Sequence, residues 1–377
     1  MTFSVVKGAP DSCGHGCDSW IEAEGQIDSS AAARFKTFLD RVQGRNLPIY
    51  LASPGGNLNQ AIVIGTMLHA KLIIVRVGRS LVRECGFEAQ DSDVCVKLKQ
   101  SGRELHGDLF TRGAVCASAC PYVFAGAAVH EVAPDAVLGI HSPKIVLNFR
   151  VDQPDPIAVA EADERGHARA DRMVAAYLAN LGIDAALLGL TKAVRNEDLH
   201  VLTREEIVRF GLDRREFVET PWTFESNARS IVHKIAVVRK PGEPSFRTLQ
   251  WRVVCFDANG FVLNFLRPAP ASSGSSWVSI ATGDGTPVYF TDPPAKASGL
   301  ESWSLRLPLP GLRSLLKRPQ VEFTETSLTT DGGRLPQTIK LSNDGWAGAL
   351  ESLLAGCPAA QNSAAAQTSR SGETAAK

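Results

Sequence analysis

The sequence contains no run of about 18 apolar residues, the length a helix needs to cross a bilayer, so no segment reads as a transmembrane helix. It has no excess of either charge: 40 Lys and Arg balance 40 Asp and Glu. A balanced chain lacks the broad basic surface that holds nucleic acid or an anionic membrane, and neither is expected as the main partner. The opening stretch, MTFSVVKGAPDSCGHGC, lacks the basic segment and apolar run of a signal peptide, so no export address is read there. Internal repeats are absent too. What remains is a 377-residue chain with 44% apolar residues, enough for two domains with substantial cores.

Cysteine is not scarce. The eight residues Cys13, Cys17, Cys85, Cys95, Cys116, Cys120, Cys255 and Cys357 fall largely in close pairs. An even, clustered set points to disulfides and an oxidising compartment, periplasmic or secreted, against the missing signal. A cytoplasmic protein with buried free thiols is the alternative. The disulfide candidates are Cys85 with Cys95, Cys255 with Cys357, and bridges involving Cys13 and Cys17. Zinc at Cys13-Gly-His15-Gly-Cys17 is the weaker option, because zinc sites usually draw a second ligand pair from a distant segment. No metal and no cofactor is expected.

Hydrophobic patterning gives the architecture. Residues 20–27 read as a strand, 29–42 as a helix, 48–52 as a strand buried on both faces, 57–70 as a helix and 72–77 as another buried strand. That alternation predicts a parallel sheet with crossover helices. Residues 79–112 are polar and read as an insertion closed by Cys85 and Cys95. The alternation resumes with a turn at 113–118, a helix near 119–127, a strand at 137–140 and a long helix at 157–181. Thr203 and Glu206 form a capping box, and Gly211 stops that helix. Beyond about residue 220, short β-rich runs such as WRVVCF, FVLNFL and WSLRL alternate with Pro, Gly, Asn and Asp, the texture of an all-β sandwich or barrel closed by a helix at 345–355. The expected domains are an N-terminal extension (1–12), an α/β parallel-sheet domain (13–218), a small β-rich, sandwich-like domain (219–358) and a disordered tail (359–377).

Three strand-end motifs could carry chemistry. Ser53-Pro54-Gly55-Gly56 leaves backbone amides uncovered before a helix, a turn suited to an oxyanion or a phosphate. Gly113-Ala-Val-Cys-Ala-Ser118-Ala-Cys120 packs small residues around one serine, with the Ala119 amide as a candidate oxyanion donor. Gly139-Ile140-His141-Ser142-Pro143 puts a histidine at the next strand end, the edge where parallel sheets collect their sites. Each alone is an ordinary turn, an N-capping serine or a structural histidine. Together, at successive strand ends of one parallel sheet, they read as a site.

In this order and spacing the motifs SPGG, the small-residue serine turn and strand-IHxP resemble the Clp protease proteolytic subunit, over about residues 13–218. The CxSAC turn and the cysteine-bearing N-terminus are similar to ClpP-like bacterial proteins assigned to the periplasm. The resemblance implies a crotonase/ClpP-like fold and a serine peptidase, with Ser118 as nucleophile and His141 as general base. Gly55, with Gly56, and the Ala119 amide would form the oxyanion hole. Asp198 would orient the imidazole, although it falls one position from strict register before the Phe210-Gly211-Leu212 anchor; its neighbour Glu197 could substitute. The substrate would be a peptide or another acyl compound. Cys116 and Cys120 depart from the family. They form either a bridge that strains or blocks the serine turn or two packed thiols. The insertion at 79–112 is expected to roof the site, so a homo-oligomer is compatible with the sequence while the family's tetradecamer is not inherited. The alternative is a catalytically silent ClpP-like scaffold of the cell envelope. A crotonase-type acyl-CoA enzyme is weaker, because neither a basic nucleotide pocket nor paired catalytic glutamates are evident.

Overall fold

The computed structural model describes residues 1–147, 149, 155–226, 230–240, 242–256, 260–269, 276–328 and 333–357; the expected tail at 359–377 lies outside them. The chain divides into two compact units, Met1–Glu216 and Phe217–Lys377.

The first unit opens with β1 (Thr2–Lys7), β2 (Ser19–Glu24), α1 (Ala31–Arg41), β3 (Ile49–Ala52), α2 (Leu58–Lys71), β4 (Ile74–Val77) and β5 (Arg79–Val82). It continues through α3 (Asp93–Lys99), β6 (Glu104–Phe110), β7 (Val115–Ala117), α4 (Cys120–Ala125), β8 (Val129–Glu131) and β9 (Val137–Ile140). It closes with α5 (Pro156–Leu181), α6 (Ala186–Ala193), β10 (His200–Val201) and α7 (Arg204–Arg209). Seven strands pair in the order β5-β6-β1-β2-β3-β4-β8. Strands β2, β3, β4 and β8 run parallel, which requires the crossover helices between them.

Three sequence expectations need correction. Residues 1–12 are not an extension: β1 lies between β2 and β6, with Val5 and Val6 buried. The segment 79–112 supplies β5, α3 and β6 and lengthens the main sheet; none of its residues lines the cavity described below. The sheet is also not one continuous parallel surface. Strands β10, β9 and β7 form a separate three-stranded sheet, tied to the end of β3 by a bridge between Ser53 and Cys116. Hydrophobic periodicity reports that a segment is a buried strand, not which strand it pairs with.

The helices follow local rules. Asn57 caps α2 by accepting from the Gln60 amide, and Thr203 and Glu206 form a full capping box on α7. Apolar faces of α1, α2 and α4 pack on the sheet around Phe35, Leu51, Ile64 and Phe124. Fully buried Trp20 donates its indole N–H to Ser80 Oγ at 2.9 Å.

The second unit is antiparallel throughout. One sheet runs in the order β11 (Phe217–Glu219), β13 (Ser230–Arg239), β14 (Phe246–Cys255), β15 (Gly260–Pro268), β19 (Leu300–Pro308) and β18 (Ala295–Ala297), with β12 (Thr223–Ser226) beside β13. The other is β17 (Pro287–Tyr289), β16 (Ser276–Ala281), β20 (Gln320–Leu328) and β21 (Arg334–Ser342). Helices α8 (Leu309–Ser314) and α9 (Trp346–Gly356) complete the unit. Trp251 and Phe265 of the first sheet meet Phe323 of the second at ring distances of 5.2 and 4.4 Å, so the inner faces share one aromatic core.

All eight cysteines are paired: Cys13–Cys17, Cys85–Cys95, Cys116–Cys120 and Cys255–Cys357. Four disulfides fit an oxidising, extracytoplasmic compartment. The Cys13-Gly-His15-Gly-Cys17 stretch therefore offers no thiolate to zinc. No helix among the described residues is long and apolar enough to cross a membrane.

A buried charge cluster fastens the insertion to the sheet. Lys99 of α3 pairs with Glu24 and lies 3.9 Å from Glu22, both on β2, while the Ser80 amide donates to Glu22 Oε1 at 2.8 Å. Burial first, and then the nearby Glu24 charge, pushes the Glu22 carboxyl up to about 7, against the pull of Lys99. A carboxyl whose folded pKa exceeds its unfolded value stabilises the fold at low pH, and that contribution is lost as pH rises through about 7. Glu22→Gln keeps the acceptor for Ser80 and removes the titration. Thermal melts should then show a Tm drop between pH 5 and pH 8 that is smaller in the variant than in wild type by several degrees (about 4 or more). Equal drops in the two proteins would mean that Glu22 does not carry the pH dependence.

Candidate active site

Ser118 sits in the two-residue turn between β7 and α4. Its backbone is at φ +61°, in the left-handed region that a residue with a Cβ enters at a cost of about 1–2 kcal/mol. Hydrogen bonds on both edges of β7 hold it there. On one side the Ser53 amide donates to the Val115 carbonyl (2.7 Å) and the Ala117 amide to the Ser53 carbonyl (2.9 Å). On the other, the Ser118 amide donates to the Gly139 carbonyl of β9 at 3.0 Å. A sharp strand-to-helix turn of this kind lifts a side chain clear of the sheet.

Gly55 packs directly under this turn. Its φ is +96°, and a Cβ there would collide with Ser118 Cβ and lie 2.6 Å from the Ala117 carbonyl oxygen. The Gly55 amide donates to Ser53 Oγ at 3.1 Å. The Gly56 amide, by contrast, meets no acceptor among the described residues, and neither does the Ala119 amide. Gly56 and Ala119 line the same cavity, whereas Gly55 does not. The two available donors are therefore Gly56 and Ala119, and Gly55 is the spacer that lets the SPGG turn approach Ser118. Sequence could not separate the glycines, because the distinction depends on which amide Ser53 Oγ engages.

His141 follows β9. Its Nδ1 is 2.8 Å from the Ser142 carbonyl, which can only accept, so a hydrogen bond there places a proton on Nδ1 and leaves Nε2 as the nitrogen open to accept one. Asn196 Nδ2 donates to the same carbonyl at 3.1 Å and lies 3.3 Å from His141 Nδ1. The Ser142 amide donates to the Val194 carbonyl at 2.9 Å, anchoring the histidine loop to the chain just after α6. Asp198 is not beside the imidazole. It is half-exposed and accepts from Arg195 Nε at 2.7 Å. Glu197 is exposed as well, and neither acid lines the cavity. Asn196 occupies the position expected of the carboxylate, and a search for acids passes over a neutral amide.

Ser118, Ala119, His141, Gly56 and Asn196 all face a cavity of about 940 Å³. Its far wall is one face of α5, where Ala162, Arg165, Gly166, Arg169 and Met173 recur at helical spacing. Residues 143–147 close its rim, with Ile145 against Gly166, where a side chain would clash. Among the described residues no hydrogen bond joins Ser118 to His141. The Cys116–Cys120 disulfide ties the last turn of β7 to the first residue of α4 with Cα atoms 5.1 Å apart, and Ser118 between them still reaches the cavity. A hydroxyl, an imidazole and two free amides around one space are the elements of acyl transfer through an oxyanion.

Replacing Gly55 by Ala adds both left-handed strain and a collision with the serine turn. Gly113 (φ +68°) offers a control, since a Cβ there meets nothing within 4 Å. Urea unfolding should give a loss of about 1 kcal/mol for Gly113→Ala and at least about 3 kcal/mol for Gly55→Ala. Similar losses for both would remove the packing role assigned to Gly55.

Neither a protein-family model nor a curated protein matches the sequence. Solved structures do. The 1510-N membrane-bound stomatin-specific protease is similar at 18% identity and a TM-score of 0.30, over 51% of this chain and 75% of its own. The invasion-associated protein B of Bartonella henselae is similar at 14% identity and a TM-score of 0.26, over 35% of this chain and 96% of its own. The reading of the site rests on its own geometry.

Proposed function

We propose that the first unit is a serine hydrolase acting on peptides in an oxidising compartment such as the periplasm. The observation that carries this reading is Ser118 held at positive φ beside two unoccupied amides, with an imidazole lone pair on the same cavity. Ser118 Oγ attacks the acyl carbon while His141 Nε2 takes its proton. The oxyanion is held by the Gly56 and Ala119 amides. His141 then protonates the leaving amine, and water, deprotonated by the same nitrogen, releases the acyl group and restores Ser118. The scheme needs no cofactor.

In place of a carboxylate, the Ser142 carbonyl and the Asn196 amide orient the ring. They fix the tautomer but supply no full negative charge to the imidazolium that forms. The resulting enzyme is slower than one with an ionised third member.

A second reading, a catalytically silent scaffold, is favoured by two absences among the described residues: a Ser118–His141 hydrogen bond and a carboxylate at the imidazole. Labelling with a fluorophosphonate separates the two. Wild type should label at Ser118, Ser118→Ala not at all, and His141→Ala about 10³-fold more slowly or less. Wild type that stays unlabelled while a control hydrolase reacts selects the scaffold. Asn196→Asp brings a charge to the ring and should shift the half-maximal pH of labelling upward; an unchanged pH profile would detach Asn196 from the imidazole.

A further inference from the structure

The cavity beside Ser118 has a sign. Among the described residues five charged side chains line it besides His141: Asp28, Asp171, Lys144, Arg165 and Arg169. Both acids are already neutralised. Asp28 accepts from Arg34, whose guanidinium is the main reason its carboxyl is held far below the ordinary carboxylate range. Asp171 pairs with Lys192 at 2.6 Å. Of the cations, Arg165 has a loose, exposed partner in Glu161 one helical turn away, at 3.2 Å. Lys144 and Arg169 have no anionic partner among the described residues. Lys144 belongs to the 143–147 segment and Arg169 to α5, which adjoin where Ile145 meets Gly166. Both side chains are solvent-exposed, so what they lend the cleft is a positive potential that salt can screen. Between them, Ile145, Leu147, Met173, Val174 and Leu188 supply apolar surface.

We infer that Lys144 and Arg169 are specificity residues and that the site takes acidic peptides: segments that carry a carboxylate side chain next to apolar ones, within a few residues of the attacked carbonyl. The inference rests on the reading of Ser118 as the nucleophile. The carboxylate completes the two cations, as Lys192 and Arg34 already complete the acids of the same cavity.

The test uses pairs of internally quenched peptides that differ only by glutamate against glutamine at successive positions around an apolar core. They are turned over by wild type and by the Lys144→Gln/Arg169→Gln double variant, after Ser118 has been shown to react with fluorophosphonate. Wild type should prefer the glutamate member of at least one pair by about fivefold in kcat/KM, the scale of two partly exposed charge contacts. The preference should fall toward one in the double variant and in wild type at 0.5 M NaCl. No preference, or one that survives the double substitution, overturns the inference even though Ser118 is reactive. Absence of labelling strikes the hydrolase reading alone. Fluorescence anisotropy of the same peptide pairs then decides the inference by binding: tighter capture of the glutamate peptide, lost in the double variant, supports it, and equal capture ends it.

Discussion

The left-handed backbone at Ser118 is the constraint on which the first unit's chemistry depends. It is an unfavourable conformation held by three backbone hydrogen bonds from two directions, the end of β3 and the strand β9. It also requires Gly55 beneath it, because any side chain there would occupy the space of the serine turn. The division of the strands into two sheets follows from the same place. Strand β7 leaves the main sheet where Ser53 bridges to Cys116, and this turn presents the hydroxyl, the Ala119 amide and the Gly56 amide to one cavity. The Cys116–Cys120 bridge closes the turn covalently across the strained residue.

Electrostatics around the site follow a different pattern from the rest of the unit. Elsewhere buried charge is matched: Lys99 with Glu22 and Glu24, and Asp213 with Arg204 and Arg215, which keep its carboxyl far below the ordinary range despite burial. Among the described residues no carboxylate meets His141; its Nδ1 meets the Ser142 carbonyl, which the Asn196 amide also engages. The cavity keeps unmatched cations on its walls.

Much of this was legible in the sequence, in proportion to how local the determinant is. That Ser118 and His141 each follow a short strand is readable from apolar runs bounded by small residues, and the helix starts at Asn57 and Thr203 from capping chemistry. The antiparallel second unit is readable from its turn residues. Partnership is not local. Strand β1 looks like a detached N-terminal segment until its pairing with β2 on one edge and with β6, about a hundred residues later, on the other is seen, and the insertion looks like a lid until its strands join the sheet edge. The exchange of Asp198 for Asn196 depends on long-range hydrogen bonds between the two loops, from the Ser142 amide to the Val194 carbonyl and from Asn196 to the Ser142 carbonyl, and no spacing rule encodes them.

The bridge between Cys255 and Cys357 spans 102 positions, from β15 to α9 of the second unit, and joins the end of β14 to the residue after α9. Closing a loop of that length restricts the unfolded chain by about 4–5 kcal/mol, the largest such contribution available from the four bridges. It also closes the stretch from β15 to α9 into a covalent loop. A protease that cuts one exposed hairpin between β15 and β21 separates no fragment, so nicked molecules stay joined and reveal the cut only after reduction. Freeing a piece of that loop in an oxidising compartment would then require either two cuts or a thiol.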